Sequence, residues 1–96
     1  MFELTGFQRD LLYCIVGTDD PSGQEVRSEL EQSSSIEVNH GRLYPNLDDL
    51  VDQGLVEKQS KNNRTNLYRL TDQARELIAD RRQWEDKQLE QLNLDA

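Results

Sequence analysis

Four polar side chains close together, Asn39, His40, Arg42 and Asn46, carry the most recognisable chemistry in the chain. An arginine can grip O6 and N7 of guanine with two donors, and an asparagine can pair at two points with N6 and N7 of adenine. Arg42, Asn46 and Asp49 recur at i, i+4 and i+7. On a helix that spacing gives one face, expected to lie opposite the apolar stripe of Leu43, Leu47, Leu50 and Val51, with Tyr44 on the flank as a further contact. Arg42 is the leading candidate for a base contact, and His40 and Asn39 could serve bases or phosphates. Asp48, Asp49 and Asp52 crowd the far half of the segment, so any approach to phosphate is expected at its N-terminal half. A second group lies downstream, where Lys58, Lys61, Arg64 and Arg69 fall within twelve residues. Lys61, Asn63, Arg64 and Thr65 surround a turn and could touch phosphates or enter a minor groove. A third lies upstream, where Ser22, Gly23 and Gln24 begin a helix whose free backbone donors suit a phosphate. Each group has a plainer explanation: a solvated helix face, a solvated turn and an ordinary cap.

These residues need elements to hold them. Phe7, Leu11, Cys14 and Ile15 form a helical stripe in a first segment, Leu4 to Gly17, with Thr5 as its cap and "TDDPSG" as its stop. Ser22 and Glu25 have capping-box spacing and start a short second helix anchored by Val26 and Leu30, fading in "QSSS". Ile36 and Val38 alternate with Glu37, as a short extended connector would. Asn39 caps the third helix and Gly54 suits the left-handed position after its end. Pro45 conflicts with that helix, because it lacks a backbone donor, so a loose start that tightens after Pro45 is expected. Leu55–Lys61 and Thr65–Leu70 read as two strands around "NNR", whose asparagines suit a tip with positive φ. Thr71 caps a last helix running to about Leu92, with Ala74, Leu77, Arg81, Trp84, Gln88 and Leu92 along one side. The whole is mainly α with a small β-hairpin. Three short helices, a hairpin and a long helix are the layout of a winged helix-turn-helix: residues 1–70 form that unit and residues 71–96 the C-terminal helix. The sparse stripe on the last helix wants a partner surface. Leu77, Ile78, Arg81 and Trp84 would form a dimer seam, extended by Leu89 and Leu92 and covered by Phe2 and Leu4.

The bulk properties set limits. Ninety-six residues make one domain with a modest core. No apolar run reaches the roughly 18 residues of a membrane span, and the N-terminus lacks the blocks of a secretory signal, so a cytoplasmic protein is expected. One cysteine and one histidine cannot build a disulfide framework or a structural zinc site, and Cys14, on the apolar stripe, reads as a buried structural thiol. No nucleophile–base pair or glycine-rich phosphate loop occurs, so neither an enzyme nor a cofactor is expected. The formal net charge is −8, from 19 acidic and 11 basic residues. Residues 1–38 hold −6 and residues 70–96 hold −3, whereas residues 39–69, which carry the first two groups above, hold +1. Only three of the basic residues are lysine. An acidic, lysine-poor surface suits a cytoplasm of molar salt, where carboxylates stay hydrated.

"GRLYPNLDDLVDQGLVEK" followed by "NRTNLYRLTDQAR" resembles the PadR-type transcriptional regulators. The resemblance rests on Gly41, Leu43-Tyr44-Pro45, Leu47 and Leu50, Gly54-Leu55, Arg64, and Tyr68-Arg69-Leu70-Thr71, and it extends more loosely from residue 4 to about residue 80. It implies a winged-helix dimer that binds double-stranded operator DNA and pairs through its C-terminal helix. The chain departs from that pattern in its acidic balance, in the asparagines of its wing and in a C-terminal part with room for one helix. That shortness leaves a small-molecule effector without support in the sequence. A winged helix used only for docking another protein is the rival expectation, favoured by the acidic surface.

Overall fold

The computed structural model describes residues 1–92. The order is α1 (Gly6–Gly17), α2 (Gly23–Ser34), α3 (His40–Asp52), β1 (Val56–Asn62), β2 (Thr65–Leu70) and α4 (Asp72–Leu89), followed by a 3-10 turn over Glu90–Leu92. The last four positions of the expected 71–96 segment lie outside the described residues.

Local chemistry sets each helix start. Thr5 and Gln8 form a reciprocal capping box at α1, and Ser22 and Glu25 form another at α2. Asn39 accepts from the Arg42 amide at α3, and Thr71 accepts from the Ala74 amide at α4. Each such cap replaces an orphan backbone partner and contributes about 1 kcal/mol. α2 ends within its serines, as expected. It continues to Ser34 and ends on Ser35 in the left-handed conformation, with φ 60°.

α3 begins cleanly at His40 with Pro45 inside it, in place of the loose start expected. Pro45 sits early enough that its missing N–H strands only the acceptor one turn back, the Gly41 carbonyl. The helix ends in a Schellman arrangement. The Leu55 amide donates to Leu50 O and the Gly54 amide to Val51 O, while Gly54 takes φ 76°.

The core is shared by all elements. Leu11, Leu12 and Ile15 of α1 meet Val26 of α2, Leu43, Leu47 and Leu50 of α3, and Tyr68 of β2, all nearly or fully buried. Cys14 is buried among them, and desolvation, with Glu29 and Asp10 nearby, pushes its thiol up to about 11, the state of an inert thiol. Residues 36–38 form no strand. Val38 is buried and Ile36 exposed, so the alternation marks an irregular connector with one inward side chain.

β1 and β2 pair antiparallel from Val56↔Leu70 to Asn62↔Thr65. Asn62, Asn63 and Arg64 all keep negative φ, contrary to the expectation for this tip. The register shifts between Ser60 and Asn62, leaving Lys61 as an extra residue, and such a bulge supplies the twist that left-handed turn residues otherwise provide. The wing is also fixed to the helices. The Tyr68 amide donates to Pro21 O at 2.8 Å beside an isolated bridge between Ser22 and Leu67, and Arg69 donates twice to the Asp20 carboxylate, at 2.9 and 2.7 Å.

α4 leaves the core as it proceeds. Ala74 is buried, Leu77 and Ile78 are half-buried, and Trp84, Leu89 and Leu92 are exposed. No helix among the described residues is long and apolar enough to cross a membrane.

Candidate nucleic-acid interface

Three elements bring five of the candidate contact residues, Ser22, Gln24, Tyr44, Arg64 and Thr65, to one groove. Ser22, Gly23 and Gln24 at the start of α2, Tyr44 of α3, and Arg64, Thr65 and Asn66 of the wing line an open groove of about 200 Å³ above Tyr68. Lys61 and Asn63 are exposed around the hairpin tip, where the Asn62 side chain accepts from the Arg64 amide and sets the turn. Asn39, His40 and Arg42 are exposed at the N-terminal tip of α3.

The geometry around α3 differs from the expected arrangement in one respect. Arg42, Asn46 and Asp49 do not lie opposite the leucines. They occupy a flank that faces α1. The Arg42 guanidinium stacks over the Phe7 ring at 3.9 Å, and the Gln8 amide donates to Asn46 Oδ1 at 3.1 Å and Asp49 Oδ2 at 2.7 Å. The cause is angular: residues at 100° steps from Leu43 place 42, 46 and 49 near a right angle to the core direction. Asn46 is thereby held in an internal network, where its Nδ2 also donates to the Arg42 carbonyl. The surface opposite the core belongs to Gly41, Pro45, Asp48 and Asp52, small or acidic residues that let a ligand approach the helix backbone near its start. Lys58 pairs with Asp48 at 3.3 Å, which offsets one of the acids on that surface.

The other flank of α3 faces α2. Tyr44 stacks with His40, ring centroids 5.4 Å apart, and lies so close to Gly23 that a Cβ there would fall 2.6 Å from Tyr44 Cε1. Arg27 Nη1 stands 3.1 Å from His40 Nε2. Gln8 and Arg27 are residues that the sequence reading passed over, and Gly23 was noted there only for its backbone donor. Gln8 had a usable signal, three residues after the Thr5 cap. Gly23 and Arg27 matter through contacts with residues 13 or more positions away, for which periodicity carries no sign.

The seam candidates fall into two groups. Phe2 packs edge-on against Trp84 at 5.0 Å, and the Arg81 guanidinium covers both rings, at 5.1 and 4.7 Å, while pairing with Glu85. Phe2 and Trp84 remain 63% and 42% exposed, large for aromatic groups in a chain of this size. Leu89 and Leu92 continue the exposed line. Leu4, by contrast, is 6% exposed inside the chain's own core, where it helps to seat the α1 N-terminus and has little surface left to offer a partner.

Three packed helices, a two-stranded wing and a polar helix tip beside it define a winged helix-turn-helix protein of the DNA-binding type. The chain belongs to the transcriptional regulator PadR-like family, whose sequence model matches residues 11–80. It is similar to RosR of the halophile H. salinarum, with 44% identity and a TM-score of 0.84 over 98% of this chain and 82% of that one. The hsRosR-S1 complex gives 42% identity and the same TM-score, over 98% of this chain and 80% of that one. F93 from STIV, a winged-helix DNA-binding protein, shares the fold at 18% identity, with a TM-score of 0.71 over 88% of this chain and 94% of that one. No curated protein matches the chain. The likeness to RosR accords with the reading of the acidic, lysine-poor surface as one suited to molar salt.

Proposed function

We propose that the protein is a homodimeric, sequence-specific transcriptional regulator that reads double-stranded DNA in the cytoplasm of a salt-rich cell. The tip of α3, Asn39 to Arg42, enters the major groove. The α2 start and the wing, through Ser22, Gln24, Lys61, Asn63, Arg64 and Thr65, hold the flanking phosphates. The observation that carries this reading is the convergence of the α2 N-terminus, Tyr44 and the wing on one groove next to an exposed, polar α3 tip. Family membership supports it independently. α4 pairs the subunits around Phe2, Arg81 and Trp84, so the operator is a palindrome with half-sites about one helical turn apart.

The test uses duplexes selected from a random pool by the full chain in molar KCl. Arg64→Ala should weaken binding to all duplexes roughly equally, as loss of a phosphate contact does. His40→Ala should reduce the preference for the selected sequence by about 1–3 kcal/mol at one position of each half-site. Failure to select any duplex would favour a winged helix that docks protein instead, and binding unchanged in both variants would overturn the contacts assigned to Arg64 and His40.

A further inference from the structure

Two residues of α2 and two of α3 interlock one turn apart. Gly23 and Arg27 share a face of α2, and His40 and Tyr44 share the facing flank of α3. Tyr44 lies on Gly23 and stacks on His40, which restricts the imidazole plane. Arg27 then addresses the ring edge, with Nη1 3.1 Å from His40 Nε2. A guanidinium has donors only. In this contact Nε2 must therefore be the acceptor, and the neutral ring carries its hydrogen on Nδ1. Glu31 aims the arginine: its Oε2 lies 3.6 Å from Arg27 Nε and accepts from the Val38 amide at 2.8 Å. Gly23, Arg27 and Glu31 thus run along α2 at i, i+4 and i+8 and engage Tyr44, His40 and the Val38 backbone in turn.

We propose that Arg27 is a positioning residue for base reading: by holding Nε2 as an acceptor it makes His40 a fixed Nδ1–H donor at the tip of α3. Such a donor fits the acceptor edge of a purine N7, guanine O6 or thymine O4, and it refuses the amino edge of cytosine. Without Arg27 the imidazole can present either a donor or an acceptor, and that discrimination is lost. The proposal rests on the DNA-reading function above.

His40 is the sole histidine, so its ring nitrogens can be followed without ambiguity in long-range ¹H–¹⁵N spectra of the full chain at about pH 8, above the ordinary range of imidazole titration. The wild-type protein should show Nδ1–H with Nε2 bare. A ring protonated at Nε2 overturns the proposal, whether or not any variant folds. Arg27→Met keeps the stem and removes the donor. It should move the hydrogen toward Nε2 and lower discrimination between the selected duplex and its single-base variants by about tenfold at the His40 position. In a His40→Ala background the same substitution should change little. An unaltered tautomer, full discrimination in Arg27→Met, or losses that simply add would each overturn it. If the wild-type chain prefers no duplex at all, the regulator reading fails and takes this proposal with it, a result separable from the others because the tautomer is read in the free protein.

Discussion

At the scale of single residues, the site depends on small groups as much as on charged ones. Gly23 is the clearest case. An alanine there would put its Cβ within 2.6–3.0 Å of three atoms of the Tyr44 side chain, so the ring must swing away. The atoms met are the far end of the tyrosine side chain, and alanine is the better helix former by up to about 1 kcal/mol. The lost packing costs about 1–3 kcal/mol. Gly23→Ala is therefore expected to lower stability by about 1 kcal/mol in thermal melts, while the Tyr44–His40 contact disappears from proton NOE spectra. An intact contact would show that the ring has room the structure denies it. Tyr44 was legible on the flank of the α3 stripe, which is where it stands. Its use as a lid over α2 was not, because a glycine 21 positions earlier gives no local signal of what lies above it. The placement of Arg42 and Asn46 was misjudged for a different reason: the flank and the outer face of a helix differ by only one residue step, and sequence gives no neighbour to distinguish them.

At the scale of elements, the helices were readable from their caps and apolar stripes, and the strands from alternation with Gly54 before them. What the sequence did not disclose was how the elements are fastened. The Pro21–Tyr68 bond, the Ser22–Leu67 bridge and the Asp20–Arg69 pair all join positions more than 40 residues apart. Asp20 occupies an unusual backbone state, φ 42°, and Arg69 holds it at two points. Hydrogen bonding from Arg69, then its charge, keeps the Asp20 carboxyl below the ordinary 3.8. A depressed acid stabilises the fold above its unfolded value, and that contribution disappears as pH falls through the lower, folded value. Asp20→Asn should therefore flatten the stability–pH curve below about pH 4 and leave its shape at neutral pH unchanged. Thermal melts across that range decide it: parallel curves for the two proteins would mean that the pair does not contribute.

At the scale of the whole molecule, the shape and the charge both point outward from the single chain. The extents are 49 × 29 × 23 Å and the radius of gyration is 14.3 Å, against about 12.5 Å for a compact chain of this length. The excess comes from α4 and the turn after it, which carry Trp84, Leu89 and Leu92 into solvent, with Phe2 from the N-terminus packed on Trp84. Phe2→Ala combined with Trp84→Ala is expected to convert a dimer to a monomer in analytical ultracentrifugation in molar KCl, with the winged-helix core still folded by circular dichroism. An unchanged sedimentation coefficient would place the subunit contact elsewhere. The net charge of −8 gives a second expectation. Phosphate attraction is screened within about 3 Å at 1 M salt, so base contacts and shape must carry more of the affinity than usual. Operator affinity should fall only gently from half-molar to several-molar KCl, unlike that of a basic repressor. The sign and distribution of charge were visible in the sequence. The projecting helix was visible only as a stripe too sparse to be a core.

Thr71 joins these scales. Its hydroxyl donates to Gly54 O at 2.8 Å and its amide to Leu55 O at 3.1 Å, while the same oxygen accepts from Ala74 at the start of α4. The end of α3 and the start of α4 therefore meet at one bolted corner. In a dimer joined through α4, that corner acts as the elbow of a pair of calipers. Thr71→Val, which removes the hydroxyl bond to Gly54 O, would leave each jaw folded and loosen the angle between them, an error that the operator would register as a weaker preference for one number of base pairs between its halves.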